Sequence, residues 1–359
     1  MLRAREAVRN LPTYHPPLGG RTGLRLDFNE NTVGCSPRVL ERLRRIDFEE
    51  LARYPEREPA EAVVASHLAV KPGELLLTNG VDEAIHLLCE AYLERNDEVC
   101  IVVPTFSMYE IFAKATEARV VSVPAADDFA FPLTALRGQI SSSTRLIVIA
   151  NPNNPTGAAA RVEDLLLIAD SAPEAALLVD EAYFEFHGGS LLHAWADRPN
   201  IFVARTFSKA YGLAGLRVGI LCGHREQMDS VRRVASPYNV NSVALVCLPE
   251  ALADREYVRM YVAEVCAGRE RLQSELDRLG IRYWPSRANF VLMQLGDLNL
   301  AFIGGMRERG ILVRDRSRDF GCQGCVRITL GSADHTRRLL GAMRETLEAI
   351  GALRQETRS

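Results

Sequence analysis

The chain has no apolar run approaching the ~20 residues of a membrane-spanning helix, and residues 1–10 contain no apolar signal core. These absences argue against a helical membrane protein or a secretory leader, and predict a cytoplasmic protein. A strong charge of either sign is missing too. The formal net charge is −3, so no global field would recruit nucleic acid or a membrane surface. There is no internal repeat and no low-complexity tract. The eight cysteines follow no disulfide framework. Most sit in apolar stretches, such as Cys89 and the Cys100 of Glu98-Val-Cys-Ile-Val-Val103, and read as small buried hydrophobes. The one local pair, Cys322-Gln-Gly-Cys325, has no second pair or His cluster to complete the four ligands of a structural zinc site. It reads as ordinary thiols near a turn, and no metal is expected.

The composition that remains is that of a globular protein: 359 residues, 47% hydrophobic, 25% charged and 7% aromatic. The length suggests roughly two domains of ~150 residues, enough core to need no crosslink. Pro12, Pro16, Pro17, Gly19, Gly20 and Gly23 mark residues 1–35 as an extended N-terminal arm. From about residue 60, short apolar runs alternate with helix-length segments. Strands are expected at 74–78, 99–103, 120–123, 146–150, 176–179, 201–204 and 218–221, with a one-faced helix over Val81–Leu93. Continuous apolar runs predict an α/β large domain, residues 36–245, with a mostly parallel sheet flanked by helices. Beyond residue 245 a long helix (255–279), strands at 289–294, 311–314 and 326–330, and a closing helix (333–350) predict a smaller α+β C-terminal domain, residues 246–359.

Ligands of open α/β sheets bind beyond the carboxyl ends of the strands, so the residues ending each run carry the functional signal. Those endings are Asn79-Gly80-Val81-Asp82, Asn151-Pro-Asn-Asn-Pro-Thr-Gly157, Asp180-Glu-Ala-Tyr183 and Arg205-Thr-Phe-Ser-Lys-Ala210. Singly, each has a plain reading: Asp as a helix cap, Asn-Pro as a turn, Lys as a solvated cation. Together they match what pyridoxal phosphate requires. Lys209 supplies the amine for a Schiff base, and Asp180 the carboxylate beside the pyridine nitrogen. Tyr183 and Asn154 suit the ring oxygen. The phosphate would take the backbone N–H groups of Val81 and Asp82, the hydroxyls of Thr206 and Ser208, and Arg217. Phe106 can stack on the ring, or serve only as a core aromatic.

In order and spacing, the motifs Asn151–Gly157, Asp180–Tyr183, Ser208-Lys209 and Ala214-Gly-Leu-Arg217 resemble the fold-type-I pyridoxal-phosphate aminotransferases. More narrowly the chain is similar to the histidinol-phosphate aminotransferases. That likeness runs from Leu26-Asp-Phe-Asn-Glu-Asn31 through Arg53-Tyr-Pro-Glu56, Met108-Tyr109 and Pro237-Tyr-Asn239 to Gly324-Cys-Val-Arg-Ile-Thr329, covering nearly the whole chain. The resemblance implies catalytic roles for Lys209, Asp180 and Tyr183, and a homodimer in which Tyr54 touches the cofactor phosphate of the neighbouring subunit. It implies that Arg327 binds the substrate carboxylate, and that Arg314 and Tyr14, with Asn154, bind the rest of the substrate, including its phosphate. The implied reaction exchanges an amino group between histidinol phosphate and 2-oxoglutarate. Relatives of this scaffold that use aromatic amino acids or decarboxylate threonine phosphate are the alternatives. Two departures stand out: Phe106 where a Tyr is common, and the extra arginines Arg316 and Arg318. A regulator built on the same scaffold would need a DNA-binding module, for which the N-terminal arm offers no room.

Overall fold

The computed structural model describes residues 2–13 and 20–353. Its strands, in chain order, begin with β1 (Leu24–Arg25), followed by β2 (Leu75–Thr78), β3 (Glu98–Val103), β4 (Arg119–Pro124), β5 (Thr144–Ala150), β6 (Ala176–Asp180), β7 (Ile201–Thr206) and β8 (Gly219–Gly223). The last seven form one sheet in the order β2-β8-β7-β6-β5-β3-β4. Only β8 is reversed; it runs antiparallel to both neighbours, while the remaining pairs are parallel. The expected mostly parallel sheet is present.

The apolar runs are continuous because both faces of this sheet are covered. Alternate residues enter different cores. Leu75, Leu77, Ile147, Val179 and Val203 belong to one, and Leu76, Leu146, Val148, Leu178 and Phe202 to the other. The first core continues into the C-terminal region through Phe302, Leu339 and Met343.

That region adds β9 (Tyr283–Trp284), β10 (Phe290–Gln294), β11 (Ile311–Leu312), β12 (Arg314–Asp315) and β13 (Cys325–Thr329). Four of them make an antiparallel sheet in the order β12-β13-β10-β9. Long helices at Arg255–Arg278 and Ala333–Ala349 pack beside it. Two sequence expectations need correction. The single strand expected over 311–314 is broken at Val313 into β11 and β12, which serve different sheets. The arm is not simply extended: it holds a helical turn at Glu6–Arg9, and β1 pairs in parallel with β11. Leu24 and Leu26 alternate with Arg25 and Asp27 and are buried, which anchors the segment. Among the described residues, no helix is long and apolar enough to cross a membrane.

The topology concentrates chain ends on one rim. Because β8 is reversed, its first residue, Gly219, lies opposite both Thr78 at the end of β2 and Thr206 at the end of β7. The segments after β2 and β7 and the segment before β8 therefore meet.

Candidate active site

At this rim the chain turns from β2 into the Val81–Tyr92 helix through Asn79 and Gly80. Gly80 has φ +78°, and a Cβ there would lie 2.6 Å from Arg217 Nη2. The positive φ favours glycine here, and a side chain would also displace the guanidinium. Arg217, itself left-handed at φ +53°, donates to Asp82 Oδ2 at 3.2 Å. Thr206 Oγ1 accepts the Ser208 N–H at 3.1 Å, which leaves the threonine's hydroxyl proton to donate elsewhere. A helix N-terminus, a guanidinium and two hydroxyls thus form a cup for a dianion.

Beside the cup stands Lys209. Its Nζ donates to the main-chain oxygen of Phe28 at 3.1 Å and has no carboxylate partner in hydrogen-bonding range. Burial, reinforced by Arg327, lowers its pKa to about 8. The other two lysines, Lys71 and Lys114, are exposed, so Lys209 is the one amine prepared for nucleophilic work. Asp180, at the end of β6, accepts Tyr109 Oη–H at 2.6 Å and the Ala182 N–H at 3.0 Å. Burial pushes its pKa up to about 6 against those two bonds, so it remains a carboxylate at neutral pH. Tyr183 Oη accepts from Asn29 Nδ2 at 2.8 Å, and its own proton stays available. Phe106 meets Tyr109 edge-on at 5.6 Å.

Across the cavity lies Arg327, in β13. It donates through Nη2 to the Asp27 carbonyl at 2.8 Å and through Nη1 to Asn154 Oδ1. Its Nε is buried without a partner, as are Arg314 Nη1 and Arg316 Nε. Burial first, then the neighbouring Arg316 and Arg314, depress the Arg327 pKa to about 9. Arg316 pairs with Asp319, whose pKa burial raises.

Twelve of the residues given site roles from sequence line a single cavity of about 700 Å³: Val81, Asp82, Phe106, Asn154, Asp180, Tyr183, Thr206, Ser208, Lys209, Arg217, Arg314 and Arg327; the extra arginines Arg316 and Arg318 line it too. Tyr54 does not. It is 79% exposed and stacks on Tyr238 with ring centroids 4.4 Å apart. Tyr14 lies outside the described residues. Sequence reasoning assigned no role to Phe28, Asn29, Tyr109 or Asp319, all of which line the cavity.

A buried amine, a buried carboxylate, a tyrosine and a phosphate cup around one cavity define a pyridoxal-phosphate site. The guanidinium N–H groups left without partners beside the cavity fit a bound anionic group, and the Asp180 carboxylate fits a cationic ring nitrogen. The chain belongs to the class I and II aminotransferases, whose family model matches residues 21–343, and it is a pyridoxal-phosphate-dependent aminotransferase of fold type I. It is 32% identical to a histidinol-phosphate aminotransferase from Moorella thermoacetica, over 96% of this chain and 93% of that one. It is 38% identical to one from Roseobacter denitrificans, covering 89% and 90%. Its fold matches that of histidinol-phosphate aminotransferase from Sinorhizobium meliloti, solved in complex with pyridoxal-5'-phosphate, with a TM-score of 0.88, 24% identity and coverage of 98% and 99%.

Proposed function

We propose that this aminotransferase exchanges an amino group between histidinol phosphate and 2-oxoglutarate, giving imidazole acetol phosphate and glutamate in histidine biosynthesis. It would act as a cytoplasmic homodimer with shared active sites. The observation that carries this reading is the set of three unspent guanidinium N–H groups, on Arg314, Arg316 and Arg327, beside one cavity. A donor left unpaired in a buried site costs about 1–3 kcal/mol, and a substrate oxygen removes that cost. Glutamate brings two carboxylates. Histidinol phosphate brings a phosphate of nearly two charges. One site serves both when it holds two cationic anchors, Arg327 and Arg314.

The cup of Val81, Asp82, Thr206, Ser208 and Arg217 would hold the cofactor's phosphate, joined by Tyr54 of the neighbouring subunit. Asp180 would face its pyridine nitrogen, Tyr183 and Asn154 its ring oxygen, and Phe106 its face. When bound, pyridoxal phosphate supplies an electron-accepting ring that weakens the hydrogen on the substrate's amine-bearing carbon. Lys209 Nζ takes that proton and returns it on the other side of the exchange. It must be neutral to do so, and a pKa near 8 gives a usable neutral fraction at physiological pH, which an ordinary lysine lacks. Tyr109 keeps Asp180 charged, and the Phe28 carbonyl holds the amine against the cavity wall.

Amino-donor profiling of the purified protein with histidinol phosphate, phenylalanine and threonine phosphate tests the reading, together with Arg314→Gln. Histidinol phosphate should be the preferred donor. The substitution should lower its kcat/KM by at least about tenfold, the worth of one charge-assisted hydrogen bond, and affect phenylalanine much less. A wild-type preference for phenylalanine, or equal losses for both donors, would refute it.

A further inference from the structure

Tyr54 and Tyr238 stack on each other in the open, 79% and 54% exposed. The segments that carry them are not loose. Three residues after Tyr54, Arg57 donates through Nη1 to Asn239 Oδ1 at 2.8 Å. Asn239 follows Tyr238 directly, so one side chain ties the two aromatic segments together.

The same amide also reaches the phosphate cup of its own subunit. Asn239 Nδ2 donates to the Leu77 carbonyl in β2 at 2.9 Å and to Glu83 Oε2 in the first turn of the Val81–Tyr92 helix at 2.7 Å. Glu83 Oε2 accepts the Asn79 N–H at 2.5 Å. The turn Asn79–Gly80 that presents Val81 and Asp82 is therefore clamped on both sides, by β2 and by the helix, with Asn239 as the shared contact. A second strut runs parallel: Arg57 pairs with Glu61 at 3.0 Å, and Glu61 accepts the Leu77 N–H at 2.9 Å.

We infer that Asn239 is a positioning residue for two active sites at once. It holds the phosphate cup of its own subunit, and through Arg57 and Tyr238 it holds Tyr54 in the posture that reaches the neighbouring subunit's cofactor phosphate. This rests on the reading that Tyr54 serves the neighbouring site. Asn239 bonds three polar partners on three different segments, accepting once through its oxygen and donating twice through its nitrogen. Tyr238 supplies the platform: an exposed tyrosine has free rotation to lose, and stacking restricts it before the partner arrives.

Mixed dimers separate the two roles. One subunit carries Lys209→Ala and is silent; the other retains Lys209, so only one site gives the absorbance that borohydride fixes onto lysine. Asn239→Ala placed in the lysine-bearing subunit tests the cup. Placed in the silent subunit, it tests Tyr54. Cofactor affinity of the reporting site should weaken by at least about fivefold in each arrangement, as expected for loss of one ordinary hydrogen bond or more. Tyr238→Leu, which leaves the Asn239 bonds to β2 and the helix in place, should weaken affinity only when placed in the silent subunit. Full affinity with Asn239→Ala or Tyr238→Leu in the silent subunit, while Tyr54→Ala there weakens it, overturns the inference and leaves the shared site standing. No effect of Tyr54→Ala in the silent subunit overturns the shared site itself, and this inference with it.

Discussion

Arg205 and Arg327 are both buried arginines near the cavity, 6% and 4% exposed, and they are treated in opposite ways. Arg205 is closed by the chain. Its Nε donates to Glu181 Oε2 at 2.9 Å, its Nη2 to Ser190 Oγ at 2.8 Å, and its guanidinium carbon sits 3.5 Å over the Phe184 ring. Arg327 faces other arginines, has one N–H with no partner, and takes its bonds from a carbonyl and an amide rather than a carboxylate. A buried cation paired with a buried carboxylate holds the fold together, here the ends of β6 and β7. One without a counter-charge in a cavity wall is open to an anionic ligand, and the fold bears its cost.

The contrast predicts separable defects. Arg205→Met leaves Glu181 buried without its counter-charge, with only the Ser190 hydroxyl and the Leu191 N–H to solvate it, and should lower the unfolding free energy by about 3–5 kcal/mol, read from the urea midpoint; an unchanged midpoint would mean that the pair is not a fold element. Arg327→Gln should do the reverse. Losing a cation that burial and its neighbours disfavour should leave the cofactor-free protein as stable or more so, while kcat/KM for glutamate falls by roughly a hundredfold. Stability lost in step with activity would erase the distinction.

A smaller effect is expected at Asp180. Its carboxylate must stay ionised to face a pyridinium, so cofactor binding is supported above its pKa and lost as pH falls through it. The Tyr109 hydrogen bond lowers that pKa against burial. Tyr109→Phe should therefore move the acid limb of cofactor binding upward from about 6 by roughly one pH unit, the equivalent of one hydrogen bond, with little change at pH 8. An unmoved limb would detach Tyr109 from Asp180.

Much of the cavity lining could be read from the chain because it is written at strand ends, and strands announce themselves by apolar runs. Lys209, Asp180 and the Thr206–Ser208 turn all follow such runs directly. Tyr109 was hidden because it occupies an apolar position of the Met108–Ala115 helix and differs from a core tyrosine only by the group across from its hydroxyl. Phe28 escaped because its contribution is a main-chain oxygen, identical in every residue, brought to Lys209 across 181 positions. The split at Val313 and the two-residue strand β9 are too short to leave a period. Arg316 stands out in the sequence as an extra arginine, but only the fold shows that it pairs with Asp319 beside the cavity.

The seam between residues 27–29 and 327–329 also sets an order of assembly. Arg327 bonds the carbonyl of Asp27, and Asn29 exchanges hydrogen bonds with Thr329, each across 300 positions. At a synthesis rate of about 5–20 residues per second, Asp27 leaves the ribosome roughly 15–60 seconds before its partner does. Late in that interval, once β8 (Gly219–Gly223) has emerged, the large sheet can fold around Lys209, but the wall bearing Arg327 does not yet exist. A nascent chain in that state has its amine and no enclosed cavity, so cofactor captured early would sit open to water. Closure of the cavity therefore waits for β13, which is made only after every strand of the large sheet.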